Sequence, residues 1–209
     1  MKRLFGLLML LIFMTVFVSG CGKPSAKEYY DVINKMPYAT SFDDIVDKLG
    51  KEYSSRYNFF NKVTGKIISG EFTWKIEGID DASVTISVGN SGCKEFKGKD
   101  SKYAGLCSVK FSKSYLYEIA KDKKLIVDGV FAEDIQTRVN NAIYDDPLTS
   151  KDTPMTYDDL RDTLKCEGIV YEKESGGMIS KRKTTYIWFD KEGNNVTAAF
   201  EEKNRSTYM

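Results

Sequence analysis

Two segments that lie far apart in the chain follow one pattern, and this duplication constrains the fold more than any other feature. Residues 41–49 and 156–164 align without a gap. Each begins with a hydroxyl residue that is followed three positions later by Asp, the arrangement of a capping box with a shorter acid. Apolar residues then recur at helical spacing, as at Phe42, Ile45 and Leu49 in the first segment. The sequence therefore predicts a short helix at both positions.

Runs with the composition of strands follow each of these helices. They cover residues 57–60, 71–77 and 83–88 after the first helix, and residues 168–173, 183–190 and 195–201 after the second. Turn-forming residues at 77–81 and 190–194 separate neighbouring strands, as they do in hairpins. A helix followed by an antiparallel meander predicts a fold of the α+β class.

A further helix is predicted before each of the two duplicated segments. Apolar residues fall at i, i+3, i+4 and i+7 from Tyr29 to Met36. A similar apolar stripe runs between residues 130 and 144. Each copy would then place two helices on one face of its own sheet.

These patterns together predict two tandem repeats. The first covers residues 27–112 and the second residues 130–209. We expect each to consist of two short helices packed on a three- to four-stranded antiparallel sheet. The first repeat is predicted to end with a strand at residues 106–111. Residues 113–129 are predicted to link the two repeats and to contain a helix at residues 114–121.

The N-terminus has the composition of an export signal. Lys2 and Arg3 precede an apolar run at residues 4–18. About 15 apolar residues fit a signal sequence. A helix that spans a membrane needs about 20.

Residues 18–21, Val-Ser-Gly-Cys, resemble the lipobox of bacterial lipoproteins. The resemblance implies that residues 1–20 are removed as a signal peptide and that Cys21 becomes a lipid-bearing N-terminus. Residues 21–26 would then be a short tether. The alternatives are an uncleaved signal anchor and an ordinary secreted protein that another peptidase cuts.

A lipid at Cys21 would fix where the protein works. Two or more acyl chains hold a protein stably on a membrane, whereas one chain holds it weakly. We therefore expect the chain on the extracytoplasmic face of a cell membrane or outer membrane. Palmitate is one acyl group with which such an anchor can be labelled.

The charged side chains exclude several classes of function. The chain carries 31 basic and 30 acidic side chains and no histidine. A near-neutral chain offers no overall basic field for nucleic acid. Without histidine, a Ser-His-Asp or Cys-His active site and a histidine zinc site are excluded. We expect no catalytic residue, no cofactor and no metal; a hydrolase that used carboxylates alone would need two facing carboxylates from different repeats.

Three cysteines remain after Cys21. Cys93 and Cys107 flank a loop rich in Gly, Lys and Asp, and they are the preferred disulfide pair in a compartment where disulfides form. Closing such a loop contributes about 3 kcal/mol in the chain-entropy model. Cys166 would then stay reduced or pair between molecules, and the alternative is three reduced thiols.

Strand alternation in the first copy separates an apolar face from a polar one. Phe72 and Trp74 share one face, which we assign to the core, and Trp188 takes the matching place in the second copy. Thr73 and Lys75 point the other way. They are candidates for an exposed binding surface.

The second copy differs on that outer face. Ile187 and Phe189, which follow Thr185 on this face, are apolar where the first copy has polar residues. An exposed apolar patch ringed by polar groups often marks a contact surface. The candidate binding surface therefore consists of Thr73, Lys75, Thr185, Ile187 and Phe189. The alternative is that Ile187 and Phe189 are buried where the two copies meet.

The duplicated plan behind a lipobox resembles lipoproteins related to the β-lactamase inhibitory protein fold. It is also similar to the small lipoprotein of the outer-membrane β-barrel assembly machine. Residues 155–160, 186–188 and 193–197 carry the motif: a Met-Thr helix start, an aromatic-x-Trp strand, and a Val-Thr strand after a Gly-Asn turn. The first copy is more diverged and lacks the Gly-Asn turn.

This resemblance implies a scaffold that binds protein rather than an enzyme. In that family the inhibitor covers its target with a concave sheet surface. We expect an anchored, inhibitor-like module with a protein partner, although not a β-lactamase. The alternative is a structural envelope lipoprotein that supports assembly or sensing and has no discrete ligand.

Overall fold

The computed structural model describes most of the chain in several stretches. These are residues 25–38, 40–60, 67–89, 105–129, 131, 156–175 and 181–201. The lipobox, Cys93 and, except for Phe131, the helix predicted between residues 130 and 144 lie outside the described residues. The lipid anchor and the Cys93–Cys107 disulfide therefore stay predictions.

Four helices and eight strands occur in the described residues. The helices are α1 (Ala26–Asn34), α2 (Phe42–Leu49), α3 (Lys113–Lys123) and α4 (Tyr157–Leu164). The strands are β1 (Tyr53–Phe60), β2 (Ile67–Lys75), β3 (Ser83–Gly89), β4 (Gly105–Phe111), β5 (Ile126–Val127), β6 (Ile169–Glu174), β7 (Lys183–Asp190) and β8 (Asn195–Glu201). The predicted α+β class is confirmed.

Hydroxyl residues begin the two helices that the duplicated segments predicted. The Ser41 hydroxyl accepts a hydrogen bond from the amide of Asp44 at 3.1 Å. The Thr156 hydroxyl accepts from the amide of Asp159 at 3.2 Å, and the Asp159 carboxylate accepts from the Thr156 amide at 2.8 Å. These bonds satisfy amides that a helix leaves without partners in its first turn.

One sheet takes in strands from both halves of the chain. Its order is β1-β2-β3-β4-β6-β7, with β8 on the far side of β7. Strand β5 pairs in parallel with the end of β7, beyond Ile187, which pairs with the first residue of β6. The sheet is therefore continuous, whereas the sequence predicted a separate sheet for each copy.

The two halves join where β4 pairs with β6. Only three residue pairs are made there, among them Val109 with Lys173. The amide of Ser175 also donates to the carbonyl of Cys107 at 2.7 Å. This short joint makes one sheet of the two sets of strands.

Residues 113–129, which were expected to link two repeats, form helix α3 and strand β5. Tyr115, Leu116, Ile119 and Ala120 of α3 are buried in the larger of two hydrophobic clusters. The segment therefore contributes to the core that stabilises both halves.

Helices α1 and α2 pack on one face of the first four strands. The ring centroids of Phe42 and Phe72 lie 4.3 Å apart, and those of Tyr30 and Phe111 lie 5.1 Å apart. The two helices form what we call the helix layer. Because side chains alternate along a strand, the residues between these core positions point away from the helix layer.

Strand β7 is buried on both of its faces near its end. Tyr157 of α4 lies 4.4 Å from Tyr186 between ring centroids, whereas Tyr117 of α3 lies 5.3 Å from Phe189. Tyr186 and Phe189 point to opposite faces of the strand. Helices α3 and α4 therefore cover opposite sides of β7.

Candidate functional site

The structure places the two apolar candidates of the predicted surface inside the core. The exposed fractions of Ile187 and Phe189 are 0% and 2%. Both belong to the hydrophobic cluster that includes helix α3. They do not form the exposed apolar patch that was expected, because α3 covers this end of β7. Internal burial, the alternative interpretation, is the arrangement found.

The three polar candidates lie on the face of the sheet opposite the helix layer; this face, which we call the open face, is uncovered by the described residues over the first four strands, whereas α3 covers it at the end of β7. Thr73 and Thr185 are half-buried and Lys75 is exposed. Strand pairing places Thr73 and Thr185 in a single line of side chains that crosses the sheet. We call this line the polar row; its members, in order across six strands, are Ser54, Thr73, Thr85, Lys110, Glu172 and Thr185.

Contacts between neighbours order the polar row. The hydroxyl oxygens of Thr73 and Thr85 lie 3.0 Å apart, within hydrogen-bonding distance. The Lys110 ammonium lies 3.6 Å from a Glu172 carboxylate oxygen and 5.3 Å from the centroid of the Tyr171 ring. Partial burial opposes the charge of Lys110, but the Glu172 carboxylate and the Tyr171 hydroxyl raise the pKa of this ammonium overall. Lys110 is therefore a fixed positive group on the open face.

A second row runs parallel to the polar row, offset from it by two residues on each strand that they share, and it crosses β2, β3, β4, β6, β7 and β8. Its members are Glu71, Ser87, Ser108, Glu174, Lys183 and Glu201. Both rows carry only hydroxyl and charged side chains. Hydroxyl groups dominate over the first four strands, and charges of both signs dominate over β6 to β8. Such a surface offers hydrogen bonds and ion pairs to a polar partner.

The described residues offer no arrangement that is typical of catalysis. No group of three or more His, Cys, Asp or Glu side chains there is placed to hold a metal ion. The paired acids at the helix starts act locally instead, since Asp44 and Asp159 both bond to the N-cap residue of their own helix.

Sequence reasoning missed a buried lysine at the joint between the halves. The Lys173 ammonium donates to the carbonyls of Asn34 at 2.7 Å and Met36 at 3.0 Å, and it lies 3.4 Å from the carbonyl of Ile33. Burial lowers the pKa of this ammonium to about 8. Helix α1 has no basic residue in its last turn, so Lys173 supplies the positive charge that a helix C-terminus favours. The lack of a basic residue in the last turn of α1 is a sequence signal that another part of the chain supplies this charge.

A buried aspartate, also missed, holds the turn between β7 and β8. One carboxylate oxygen of Asp190 accepts from the amides of Glu192 and Asn194, both at 2.9 Å. The other accepts from the Asn194 side chain at 3.0 Å and from the Phe131 amide at 3.2 Å. Burial alone would raise the pKa of this carboxyl, but the four hydrogen bonds lower it overall. An Asp at the start of a Gly-Asn turn is a recognisable signal for this role.

One tryptophan contact occurs in both halves. The indole nitrogen of Trp74 donates to the carbonyl of Gly50 at 2.9 Å, just after α2. The indole nitrogen of Trp188 donates to the carbonyl of Cys166 at 2.9 Å, just after α4. Both tryptophans are core residues, as predicted. A Cβ at Gly168 would lie 2.6 Å from the Trp188 ring, so this position requires glycine.

Comparisons with known proteins add no family to this geometry. No protein-family model, curated protein or solved structure matched the chain. In the part of the chain that the structure describes, no helix combines the length and the apolar character needed to cross a membrane.

Proposed function

We propose that this protein is a lipid-anchored, extracytoplasmic lipoprotein that binds a protein partner through the open polar face of its sheet. The polar row is the observation that carries the proposal. It crosses six strands, and all of its side chains are exposed or half-buried. The resemblance of residues 18–21 to a lipobox supports the anchor.

The dimensions of the face favour a protein over a small ligand. Six neighbouring strands span roughly 24 Å at the usual strand spacing. That width fits one side of a standard protein–protein interface, whereas a small molecule is held in a concave and mostly apolar pocket. The hydroxyl and charged side chains of the two rows also supply the polar contacts that such interfaces use.

We further propose that the two halves are copies of one α+β unit, as the resemblance to the inhibitory protein fold implies. The matched helix starts of α2 and α4 support this, as does the recurring tryptophan contact. The Phe42–Phe72 and Tyr157–Tyr186 ring pairs, at 4.3 Å and 4.4 Å, occupy equivalent places in the two halves. Among the described residues, helices α1 and α3 and strands β4 and β5 have no equivalent in this correspondence.

A pair of matched variants tests the binding role. Thr85→Arg places a long charged side chain in the middle of the polar row, whereas Thr163→Arg makes the same change on the exposed surface of α4. The full-length protein, captured from its own membranes after crosslinking, should bring down a discrete protein. We expect Thr85→Arg to lose this partner while the protein still unfolds in one cooperative transition, and Thr163→Arg to keep it. Capture of nothing by the unchanged protein would refute the proposal.

One observation favours the second candidate, a structural envelope lipoprotein without a discrete ligand. Ile187 and Phe189, the apolar residues of the predicted surface, serve internal packing instead. A purely structural role predicts that Thr85→Arg and Thr163→Arg behave alike in every assay except the stability of the domain.

A further inference from the structure

We infer that strand β8 is a docking edge for a second copy of this chain. Two copies would pair through their β8 strands in antiparallel order about Ala198, so that their sheets join into one. The contact involves neither Cys21 nor any member of the polar row. It is therefore independent of the proposed anchor and of the proposed protein partner.

Strand β8 is an edge strand that lacks the usual protection against pairing. Within the described residues it pairs with β7 alone, and its seven residues do so in unbroken register. It contains no proline, and its one charged residue is the last, Glu201. Edge strands commonly carry bulges, charges or proline that keep other chains from pairing with them. Strand β1, at the opposite edge, has two register shifts and the exposed Arg56, whereas the interior of β8 has no such guard.

Alternate residues of β8 direct their backbone groups away from β7. The amide of Asp190 donates to the carbonyl of Asn194 at 3.0 Å, so this pair next to the turn is hydrogen-bonded. Hydrogen-bonded pairs alternate with other pairs along an antiparallel hairpin. Every second residue from Val196 onward therefore bonds to β7. The backbone groups that point outward belong to Asn195, Thr197, Ala199 and Glu201.

In one antiparallel register, β8 is complementary to itself. When the register is centred on Ala198, Val196 of each copy lies opposite Phe200 of the other. The outward groups of Thr197 then meet those of Ala199. Aromatic and β-branched residues form favourable cross-strand pairs, and Phe200 is half-buried, so a second copy would cover more of its ring. A symmetric contact between two identical chains requires self-complementarity of this kind.

Strand β3 makes the corresponding contact inside one chain. Val84 of β3 and Val196 of β8 each pair with a tryptophan of the preceding strand, so the two valines correspond. On its other side, Val84 pairs with Phe111 of β4. In the proposed register, Phe200 of the second copy takes the place of Phe111 beside Val196. A second β8 would therefore fill the position that β4 fills in the first half.

Charges at the two ends of β8 are complementary between copies. The Lys113 ammonium donates to the side-chain oxygen of Asn195 at 2.9 Å. Glu201, which lies 3.0 Å from Lys181 of its own copy, would stand opposite Asn195 of the second copy and so beside Lys113 there. Within one copy, the six residues from Asn195 to Glu201 extend over roughly 20 Å of strand. A contact between Lys113 and Glu201 therefore needs two copies.

Disulfide crosslinking in intact cells tests this contact. Ala198→Cys places a thiol on the symmetry axis, where the two Cβ atoms would be about 4.5–5.5 Å apart, close to the distance in a disulfide. Ser54→Cys, at an exposed position of β1, is the matched control. After oxidation of the full-length protein, mass spectrometry should find several-fold more peptide linked 198 to 198 than 54 to 54. Equal amounts, or a disulfide from position 198 to another protein in place of the self-link, would overturn the inference.

A charge exchange tests the register. In the Ala198→Cys protein, Glu201→Lys should reduce the 198-to-198 product several-fold, because it places two ammonium groups together. Adding Lys113→Glu should restore the product, and this rescue cannot arise within one copy. Both positions are exposed, and thermal unfolding of each variant in one cooperative transition checks that it folds. A double variant that crosslinks no better than Glu201→Lys alone would overturn pairing about Ala198.

Discussion

Two buried charges stabilise places where distant parts of the chain meet. Lys173, in the second half, bonds to the last carbonyls of α1 in the first half. Asp190 ties the β7–β8 turn to the amide of Phe131. A charge that leaves water costs free energy unless several hydrogen bonds replace its hydration. Both residues have those bonds, and removing either side chain leaves several backbone groups without partners.

Replacing Lys173 should therefore destabilise the whole domain. Lys173→Met keeps the length and the apolar stem but leaves the carbonyls of Asn34 and Met36 without a donor. We expect a loss of about 1–3 kcal/mol in the free energy of unfolding, measured by urea denaturation. Lys183→Met, at an exposed position on the next strand, should change it by less than about 0.5 kcal/mol. Equal effects of the two changes would contradict the capping role.

The same lysine predicts a dependence of stability on pH. Its pKa is about 8 in the folded protein and 10.5 ordinarily, so between these values the unfolded chain binds a proton that the folded chain has lost. Stability rises with pH wherever the unfolded state binds more protons. The gap in unfolding free energy between the unchanged protein and Lys173→Met should therefore widen from about pH 7.5 to about pH 9.5. A gap that stays constant over this range would show that the folded protein holds the ammonium at least as tightly as the unfolded chain does.

Asp190 predicts a loss of stability at acid pH instead. Its pKa is lowered in the folded state, so its contribution is present above the ordinary carboxyl pKa of 3.8 and is lost as pH falls through the folded value. At neutral pH, Asp190→Ala should cost about 2–3 kcal/mol in unfolding free energy, because hydrogen bonds to a charged group are strong. Asp80→Ala, at an exposed turn position, serves as the control and should have little effect. A neutral result at Asp190 would mean that the turn forms without its carboxylate.

Elements with local signals were predictable, and elements defined by distant partners were not. Helices α2 and α4 begin where Ser41 and Thr156 indicated, because a capping box is set by residues three positions apart. The strand at 106–111 and the helix at 114–121 were also placed within one or two residues. Lys173 could not be assigned, since its partners lie 137 to 140 residues away in the chain.

Strand β7 shows why only part of the candidate surface could be predicted from the sequence. Alternation correctly predicted that Trp188 is buried and that Thr185 lies on the opposite face. It could not reveal that helix α3 covers Ile187 and Phe189 on that face, because coverage depends on how elements pack. The polar part of the predicted surface was thus accessible from sequence, and the apolar part was not.

Serine substitutions on β7 test this burial. Ile187→Ser and Phe189→Ser each remove apolar contacts and bury a hydroxyl, so we expect losses of about 2–5 kcal/mol in unfolding free energy. Thr185→Ser, on the same face but half-buried, should cost much less. Melting curves of the three variants provide the comparison. An unchanged melting temperature for Ile187→Ser, together with loss of partner binding, would show that Ile187 is exposed and contacts the partner.

At the scale of the whole molecule, the first four strands of the sheet have a covered face and an open one. Helices α1 and α2 pack on one face of the first strands, and the polar row lies on the other. The open face of these strands is the surface that we propose for the protein partner.

Photo-crosslinking in intact cells brings these proposals together in one measurement. Benzoylphenylalanine at Thr85 in the full-length protein should give a discrete protein adduct in the membrane fraction, and the same group at Val32 should not. We predict that Thr73→Arg, a neighbour in the polar row, abolishes the adduct from position 85. Absence of any protein adduct from position 85, or the same adduct from position 32, would contradict a role for the polar face in binding.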